Sequence, residues 1–215
     1  MFGHTLIRVN PNNAKRSSSL LAYSINYAAN ADPNDNELVF SWKGLTGGYP
    51  GGLSVLRYYE KVNEYSSIEN RDIWEYDLNL THEEVSQFLR HSWEIQNIRF
   101  DYFFFDENCA YRILTMLDSA TPRFNIENQF SLFAAPVDTI RLLVQQNIVT
   151  NTLYRPSMAK TLKSQIEQTP DYLSKIAVGL VDIPGTAESK TFKELTAIEQ
   201  AKSLELAYGF IRYTD

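Results

Sequence analysis

The 215-residue sequence contains one cysteine and three histidines, and this scarcity excludes several kinds of site. A single cysteine excludes an internal disulfide and any zinc site built from several thiolates. No two histidines have metal-ligand spacing, so we predict neither a metal nor a cofactor. No stretch approaches the ~20 apolar residues that cross a bilayer. Basic residues are outnumbered by acidic ones, 20 to 26, and the net charge of −6 argues against nucleic acid as a partner.

A leader is not visible in the first residues. "MFGHTLIRVN" has neither a basic start nor an apolar run, so it does not have the pattern of a signal peptide. Residues 4–10 are instead rich in β-formers and predict a strand. We therefore expect Met1 to be an internal methionine and the chain to be an excised domain, with any targeting segment or membrane anchor lying elsewhere in the full-length protein.

The remaining pattern predicts an α+β fold. Strands are expected over 4–10, 20–28, 37–45 and 71–80, with the first two antiparallel, and "TGGYPGGL" (46–53) is expected to be a loop. Thr81 and Glu84 form a capping-box pattern, which starts a helix that runs to about Ile98. A second helix is predicted over 108–119. We expect an antiparallel sheet packed on this second helix, which carries the cysteine.

The composition changes after Pro122, where the segments acquire helical periodicity. We therefore predict two parts. Residues 1–121 form the α+β core, and residues 122–215 form a helical extension packed on it.

Cys109 has two interpretations. A single free cysteine in a globular domain is usually a small buried residue. The alternative is a nucleophile, because Asp106 or Asn108 can cap the helix and put Cys109 in its first turn. There the helix dipole and the backbone N–H groups stabilise a thiolate and an oxyanion. Asp106 and Glu107 oppose this, because their negative charge raises a thiol pKa, so a cationic partner is required.

His4 is the candidate base by elimination. His82, at a helix start, and His91, opposite the apolar face of that helix, are both expected at the surface. If the first two strands pair, Asn26 lies near His4 across the ladder. Its amide would then orient the imidazole as the third member of a nucleophile, base and orienter set. Without catalysis, His4 is a terminal surface residue and Asn26 a half-buried amide.

Five blocks together resemble the Lnb amino-terminal periplasmic domain family: "MFGHTLIRV", "YSINYAA", "WKGLTGGYPGG", "RDIWEYDLNLTHEE" and "YFFFDENCAYRIL". The resemblance is close over residues 1–120 and loose over the helical tail. It implies that the family's histidine, asparagine and cysteine fall on His4, Asn26 and Cys109. It also implies a bacterial extracytoplasmic protein with a circularly permuted papain-like thiol fold, similar in layout to lecithin–retinol acyltransferase-like enzymes.

The family also implies a substrate class. Lnb proteins are implicated in the N-acylation of lipoproteins with a phospholipid as acyl donor, and they carry membrane helices after this domain. This chain continues into amphipathic helices instead, which leaves the lipoprotein substrate open. The expected partners are a phospholipid or a lipoprotein or peptide substrate, together with a membrane surface, in the periplasm or elsewhere outside the cytoplasm.

The sequence therefore predicts a thiol-dependent acyl-transfer enzyme that works through an acyl-thioester on Cys109. An amine acceptor makes it an acyltransferase, and water makes it a peptidase, amidase or lipase. The backbone N–H of Cys109 is expected to supply one oxyanion donor, and Asn108 or Tyr102 a second. Tyr49 is expected to bind substrate.

An acyl chain needs an apolar groove, and Tyr49 with the phenylalanines at 103–105 are candidates to line one. At least two of those phenylalanines are expected to pack in the core instead. A non-catalytic alternative is a module whose "GLTGGYPGG" segment binds a cell-envelope ligand while Cys109 is inert. Arg71 and Arg155 are interpreted as structural.

Overall fold

The computed structural model describes residues 3–11, 16–105, 107–121, 123 and 135–214. Its strands, in chain order, are β1 (Leu6–Val9), β2 (Tyr23–Ala29), β3 (Tyr49–Arg57), β4 (Ile73–Leu78), β5 (Phe100–Tyr102) and β6 (Val149–Arg155). Its α-helices are α1 (Glu37–Thr46), α2 (Tyr58–Asn63), α3 (His82–Ile95), α4 (Cys109–Ala120), α5 (Pro136–Gln145), α6 (Met158–Gln168), α7 (Asp171–Asp182), α8 (Lys190–Lys193) and α9 (Ala197–Thr214). The α+β class predicted from the sequence is confirmed.

A four-stranded antiparallel sheet in the order β1-β2-β3-β5 organises the part of the chain that holds the cysteine, while β4 and β6 pair separately. The core lies between this sheet and α4. It is formed by buried side chains from β2, β5, α3, α4 and α5, among them Ile25, Tyr27, Tyr102, Phe88, Ile113, Leu114, Met116, Leu117, Leu142 and Leu143. The expected packing of the sheet on the cysteine-bearing helix is therefore present.

The predicted strand over 37–45 is wrong, because this segment is the helix α1. Asn36 caps it, with Oδ1 accepting a hydrogen bond from the backbone N–H of Val39 at 3.0 Å. Gly47 ends it at a φ of 73°, which a glycine adopts without steric cost. The aromatic and β-branched residues of the segment favour a strand only weakly, and the two end signals and tertiary packing override that preference.

The predicted loop over 46–53 is also wrong for most of its length, because β3 begins at Tyr49 and pairs with both β2 and β5. Gly51 explains why a glycine-rich segment lies inside a sheet here. A Cβ at this position would overlap the hydroxyl of Tyr27 and lie 3.1 Å from the Tyr102 ring. The missing side chain lets two buried tyrosines pack closely against the strand.

The chain divides into two units. One unit comprises Met1–Lys61 and Tyr76–Leu153, and the other comprises Val62–Glu75 and Tyr154–Asp215. The first unit extends beyond residue 121 because Leu142 and Leu143 of α5 are buried in the same core as α4. The second unit has its own apolar cluster, centred on Leu162, Ala177, Leu206 and Ala207.

Candidate active site

Cys109 is the first residue of α4, and Asn108 caps the helix. Oδ1 of Asn108 accepts hydrogen bonds from the backbone N–H groups of Ala110 at 3.0 Å and Tyr111 at 3.2 Å. Of the two caps considered from the sequence, the structure has Asn108, whereas Asp106 lies outside the described residues. Cys109 thus stands at the positive end of the helix dipole, an environment that favours a thiolate.

The pairing of β1 with β2 brings His4 and Asn26 together. Leu6 lies opposite Asn26 in the register, and His4 lies just before Leu6. Nε2 of His4 hydrogen-bonds to Oδ1 of Asn26. Because an amide oxygen only accepts, Nε2 carries the proton, which leaves Nδ1 for the hydrogen bond between the imidazole and the thiol of Cys109.

Ser54 orients Asn26 from the next strand. The two residues are paired in the β2–β3 register, and Nδ2 of Asn26 donates to Oγ of Ser54 at 3.3 Å. With its nitrogen held by Ser54, the buried amide directs its oxygen toward His4. The sequence interpretation missed Ser54, because the strand that pairs it with Asn26 was expected to be a loop at its start. The register of β3 is the signal that identifies it.

The environment lowers the pKa of the Cys109 thiol and raises the pKa of the His4 imidazole, so each group is shifted toward its charged form. Burial raises the pKa of Cys109, but the hydrogen bond and positive charge of His4 outweigh it, so the thiol pKa lies below its ordinary value. The backbone N–H of Thr5 and the hydroxyl of Tyr102 lower it further. Burial lowers the pKa of His4, yet its interactions with Cys109 and Asn26 raise it overall. Both shifts favour a thiolate–imidazolium pair.

Tyr102 contacts Cys109 from β5. Its hydroxyl oxygen accepts a hydrogen bond from the backbone N–H of Cys109 at 3.2 Å. Burial and the negative charge at Cys109 raise the pKa of this phenol, so it keeps its proton. The hydroxyl also hydrogen-bonds the sulfur of Cys109. Tyr102 therefore presents an O–H donor beside both the thiol and the backbone N–H of Cys109, which makes it a candidate to stabilise an oxyanion.

Comparison with protein-family models matches residues 1–146 to the Lnb N-terminal periplasmic domain. The chain belongs to this family. Residues 152–215 match a second family, described as a domain of unknown function, DUF7842. Neither the curated proteins nor the solved structures contain a match to the chain.

Membership of the Lnb periplasmic-domain family supports an extracytoplasmic location in the cell envelope. Across the described residues, every helix falls short of the length or the apolar character that crossing a bilayer requires.

The other two substrate-binding candidates of this Lnb domain have structural partners. Nδ2 of Asn108 donates to the carbonyl of Phe104 at 3.4 Å, so both ends of this amide are used in the helix cap. The hydroxyl of Tyr49 donates to Oδ2 of Asp35 at 2.6 Å, and Asp35 is also bound by Lys43 at 2.8 Å. These two side chains position the elements around the site, and Tyr102 is the candidate oxyanion donor that contacts Cys109.

The phenylalanines at 103–105 divide between packing and exposure. Phe104 packs on the core and fills the space that the absent side chain of Gly44 leaves, and Phe103 lies in the same way against Gly47. Phe105 is 39% exposed.

The two remaining histidines, both predicted to be at the surface, lie on α3, and only His82 is fully exposed there. His82 is exposed at the start of α3. His91 is half-buried, and its Nδ1 lies 3.7 Å from the carboxylate of Glu94.

Proposed function

We propose that this Lnb-family protein is an extracytoplasmic acyl-transfer enzyme with Cys109 as nucleophile, His4 as base and acid, and Asn26 as the residue that orients His4. The observation that carries the proposal is the hydrogen-bonded series from the thiol through the imidazole to the amide. With histidine, asparagine and cysteine in this chain order, the arrangement corresponds to a circularly permuted papain-like site.

The reaction follows from the proton positions. Nδ1 of His4 takes the thiol proton, and Sγ of Cys109 forms a bond to the carbonyl carbon of an ester or amide. The carbonyl electrons move to oxygen. When the tetrahedral intermediate collapses, the bond to the leaving group breaks and His4 returns the proton to the departing alcohol or amine. An acyl-thioester remains on Cys109. His4 then deprotonates an amine or water, whose attack releases the acyl product and restores the thiol.

Two donors are in place for the oxyanion. In the resting site the backbone N–H of Cys109 donates to the hydroxyl of Tyr102. When a substrate oxygen reaches this position, that N–H and the O–H of Tyr102 both turn to it. Both groups are held by α4 and β5, so little reorganisation is needed as the charge develops.

We propose a lipid acyl group as the donor and an amine, as in a lipoprotein, as the acceptor. An apolar side chain supports this: Phe105 is exposed four residues before Cys109 along the chain. The same site with water as acceptor is a cysteine peptidase or amidase of the envelope. The two outcomes differ in product: an N-acylated amine in one case, and a free acid in the other.

The first test is the rate of Cys109 alkylation by iodoacetamide as a function of pH, for the wild type, His4→Ala and Asn26→Ala. We expect an apparent pKa well below the ordinary thiol value of about 8.5 in the wild type and a return toward that value in His4→Ala. Cys109→Ser is the blank. A thiol that reacts only after unfolding would make Cys109 an inert core residue and leave ligand binding as the function.

The second test is direct detection of the acyl-enzyme. The protein is incubated with a p-nitrophenyl acyl ester or with phosphatidylcholine, and its intact mass is measured. We expect one acyl group, absent from Cys109→Ser and removed by neutral hydroxylamine, which cleaves thioesters. Adding an amine or omitting it then separates transfer from hydrolysis through the product released.

A further inference from the structure

Helix α1 exposes a row of large apolar side chains. Leu38 is 83% exposed, Trp42 69% and Leu45 51%, with Val39 and Phe40 above one third. The spacing of Leu38, Trp42 and Leu45 places these three on one face of the helix. The helix is capped at both ends by Asn36 and Gly47, so these side chains belong to a formed surface element.

This helix is joined to the candidate active site through one residue. The carbonyl of Gly44 accepts a hydrogen bond of 2.9 Å from the backbone N–H of Phe104, whose ring lies against the same glycine. The carbonyl of Phe104 in turn accepts from the side chain of Asn108, the residue before Cys109.

Charge on α1 is sparse and partly committed. The helix contains one acidic residue, Glu37, and one basic residue, Lys43. Nζ of Lys43 is bound to Asp35, which also accepts from Tyr49, and this attachment fixes the side of α1 that faces the sheet. The opposite face thus offers apolar side chains with little charge for an acidic or basic partner to recognise.

We propose that α1 docks on the surface of a neutral lipid bilayer and holds Cys109 at the interface from which the acyl donor is drawn. We name the side chains of Leu38, Val39, Trp42 and Leu45 the docking face, whereas Phe40 lies on the other side of the helix and packs on Tyr49 and Phe104. The inference rests on the proposed function for its biological sense, and on the exposed side chains for its physics.

A lipid surface fits this face better than a second protein does. Helices rich in Leu, Phe and Trp on one face bury that face at the boundary between headgroups and acyl chains. A ten-residue helix is only about 15 Å long, so its face falls well short of the ~800 Å² per partner of a stable protein interface. The net charge of −6 repels anionic headgroups, so a zwitterionic surface is favoured.

The test uses Trp42 as its own reporter. The three tryptophans are at 42, 74 and 93, so Trp74→Phe with Trp93→Phe leaves Trp42 alone. This protein is titrated with phosphatidylcholine vesicles, and emission and co-sedimentation are measured. We expect a blue shift and binding that persists at 0.5 M NaCl. Leu38→Gln with Leu45→Gln should weaken binding at least tenfold.

The matched control is Ile198→Gln with Leu204→Gln on α9, where the two side chains are 70% and 50% exposed. This pair should bind vesicles like its parent, and both pairs should keep the parent's thermal midpoint, because the changes are at the surface. Unchanged Trp42 emission at millimolar lipid overturns the proposal. Equal losses in both pairs, or a docking face that instead mediates self-association in sedimentation, overturn it as well.

Failure of this inference can be told apart from failure of the proposed chemistry. Cys109→Ser cannot form an acyl-enzyme, yet it retains the docking face and should bind vesicles like the wild type. Vesicle binding without a reactive thiol would support the docking face and contradict the proposed enzyme activity. A reactive Cys109 without vesicle binding would support the acyl-transfer chemistry and contradict the docking face.

Discussion

Oγ of Ser54 accepts a hydrogen bond of 3.3 Å from Nδ2 of Asn26, while Oδ1 of the same amide is bonded to His4. The Asn26 amide thus links Ser54 on β3 to the imidazole of His4, and Ser54 fixes which end of the amide faces the ring. Ser54→Ala removes the acceptor and lets the amide turn its N–H groups toward His4. We expect the apparent pKa of Cys109 to rise and acyl-enzyme formation to slow about fivefold, since one hydrogen bond is worth about 1 kcal/mol.

Alkylation rates against pH measure this change, and Ser54→Thr is the control because it keeps the hydroxyl. A merely structural role for Ser54 would lower the unfolding midpoint without moving the thiol titration. An unchanged titration in Ser54→Ala would therefore show that Ser54 does not position Asn26.

Asn26→Asp tests the charge state of the imidazole. A carboxylate still accepts the hydrogen bond from Nε2 of His4, and its negative charge stabilises the imidazolium, so the pKa of His4 should rise above its already raised value. Activity that requires the charged pair is lost as His4 deprotonates. We therefore expect the alkaline limb of the rate profile for acyl-enzyme formation to move to higher pH. An alkaline limb at the wild-type position would show that this limb does not report His4.

The candidate site could be predicted in large part because short-range signals determine it. A cap before Cys109 follows from the residues next to it, and the proximity of His4 and Asn26 follows from pairing two successive strands. The contact of Tyr102 with Cys109 was harder to predict, because it depends on a three-residue strand whose sequence resembles a connecting segment. Ser54 could not be found, because it acts through the register of a strand whose start resembles a loop.

The fold was least predictable where a distant contact decides a segment's structure. Val39, Phe40 and Trp42 favour a strand by local preference. Gly44 in the same segment packs against Phe104, which lies far along the chain, and this contact exists only in the folded state. The same holds for α5, whose leucines join the core that α4 forms. Local composition placed α5 in a separate helical part, whereas burial places it with the sheet.

Glu84 should make the unfolding free energy of the protein decrease as the pH falls. Arg123 donates to its carboxylate, and Thr81 adds a backbone hydrogen bond from the capping box; together they hold its pKa at about 2. The unfolded chain binds this proton near pH 4.5, so the contribution of Glu84 is present above that pH and is lost as the pH falls toward 2. The difference in unfolding free energy between the wild type and Glu84→Gln should shrink over this range.

Urea titrations at several pH values measure that difference. A difference that stays constant between pH 4.5 and 2 would contradict a lowered pKa for Glu84. Arg141→Gln is a control. Arg141 and Asp138 form an exposed ion pair within one helix, which should contribute little to the unfolding free energy.

Gly44→Ala tests the contact that places α1. A Cβ at this position would overlap the ring of Phe104, so the helix or the ring must shift, at a cost of about 1–3 kcal/mol. Gly179→Ala in α7 is the matched control, because its Cβ would meet Thr186 at an ordinary 3.5 Å and alanine favours a helix. Urea unfolding should show the first variant destabilised and the second unchanged or more stable. Equal stabilities would mean that Phe104 accommodates the new methyl group freely.

Tyr102→Phe separates oxyanion stabilisation from packing. The ring keeps its stack on Tyr27, with centroids 5.6 Å apart, so the fold should be retained. The variant loses the hydroxyl that bonds both the sulfur and the backbone N–H of Cys109. We expect kcat for ester cleavage to fall about 10²-fold with KM little changed, because the donor acts on charge that develops in the transition state. The thiol pKa should rise modestly as well.

Tyr27→Phe is the control for this experiment. The hydroxyl of Tyr27 lies against Gly51, so its removal leaves the contacts of Cys109 intact. A fall in kcat common to both variants would point to a packing effect of the paired rings. If kcat falls only in Tyr102→Phe, and falls by more than the change in thiol pKa measured by alkylation accounts for, the hydroxyl stabilises the oxyanion. Loss of thiolate stabilisation alone would change kcat and the thiol pKa together.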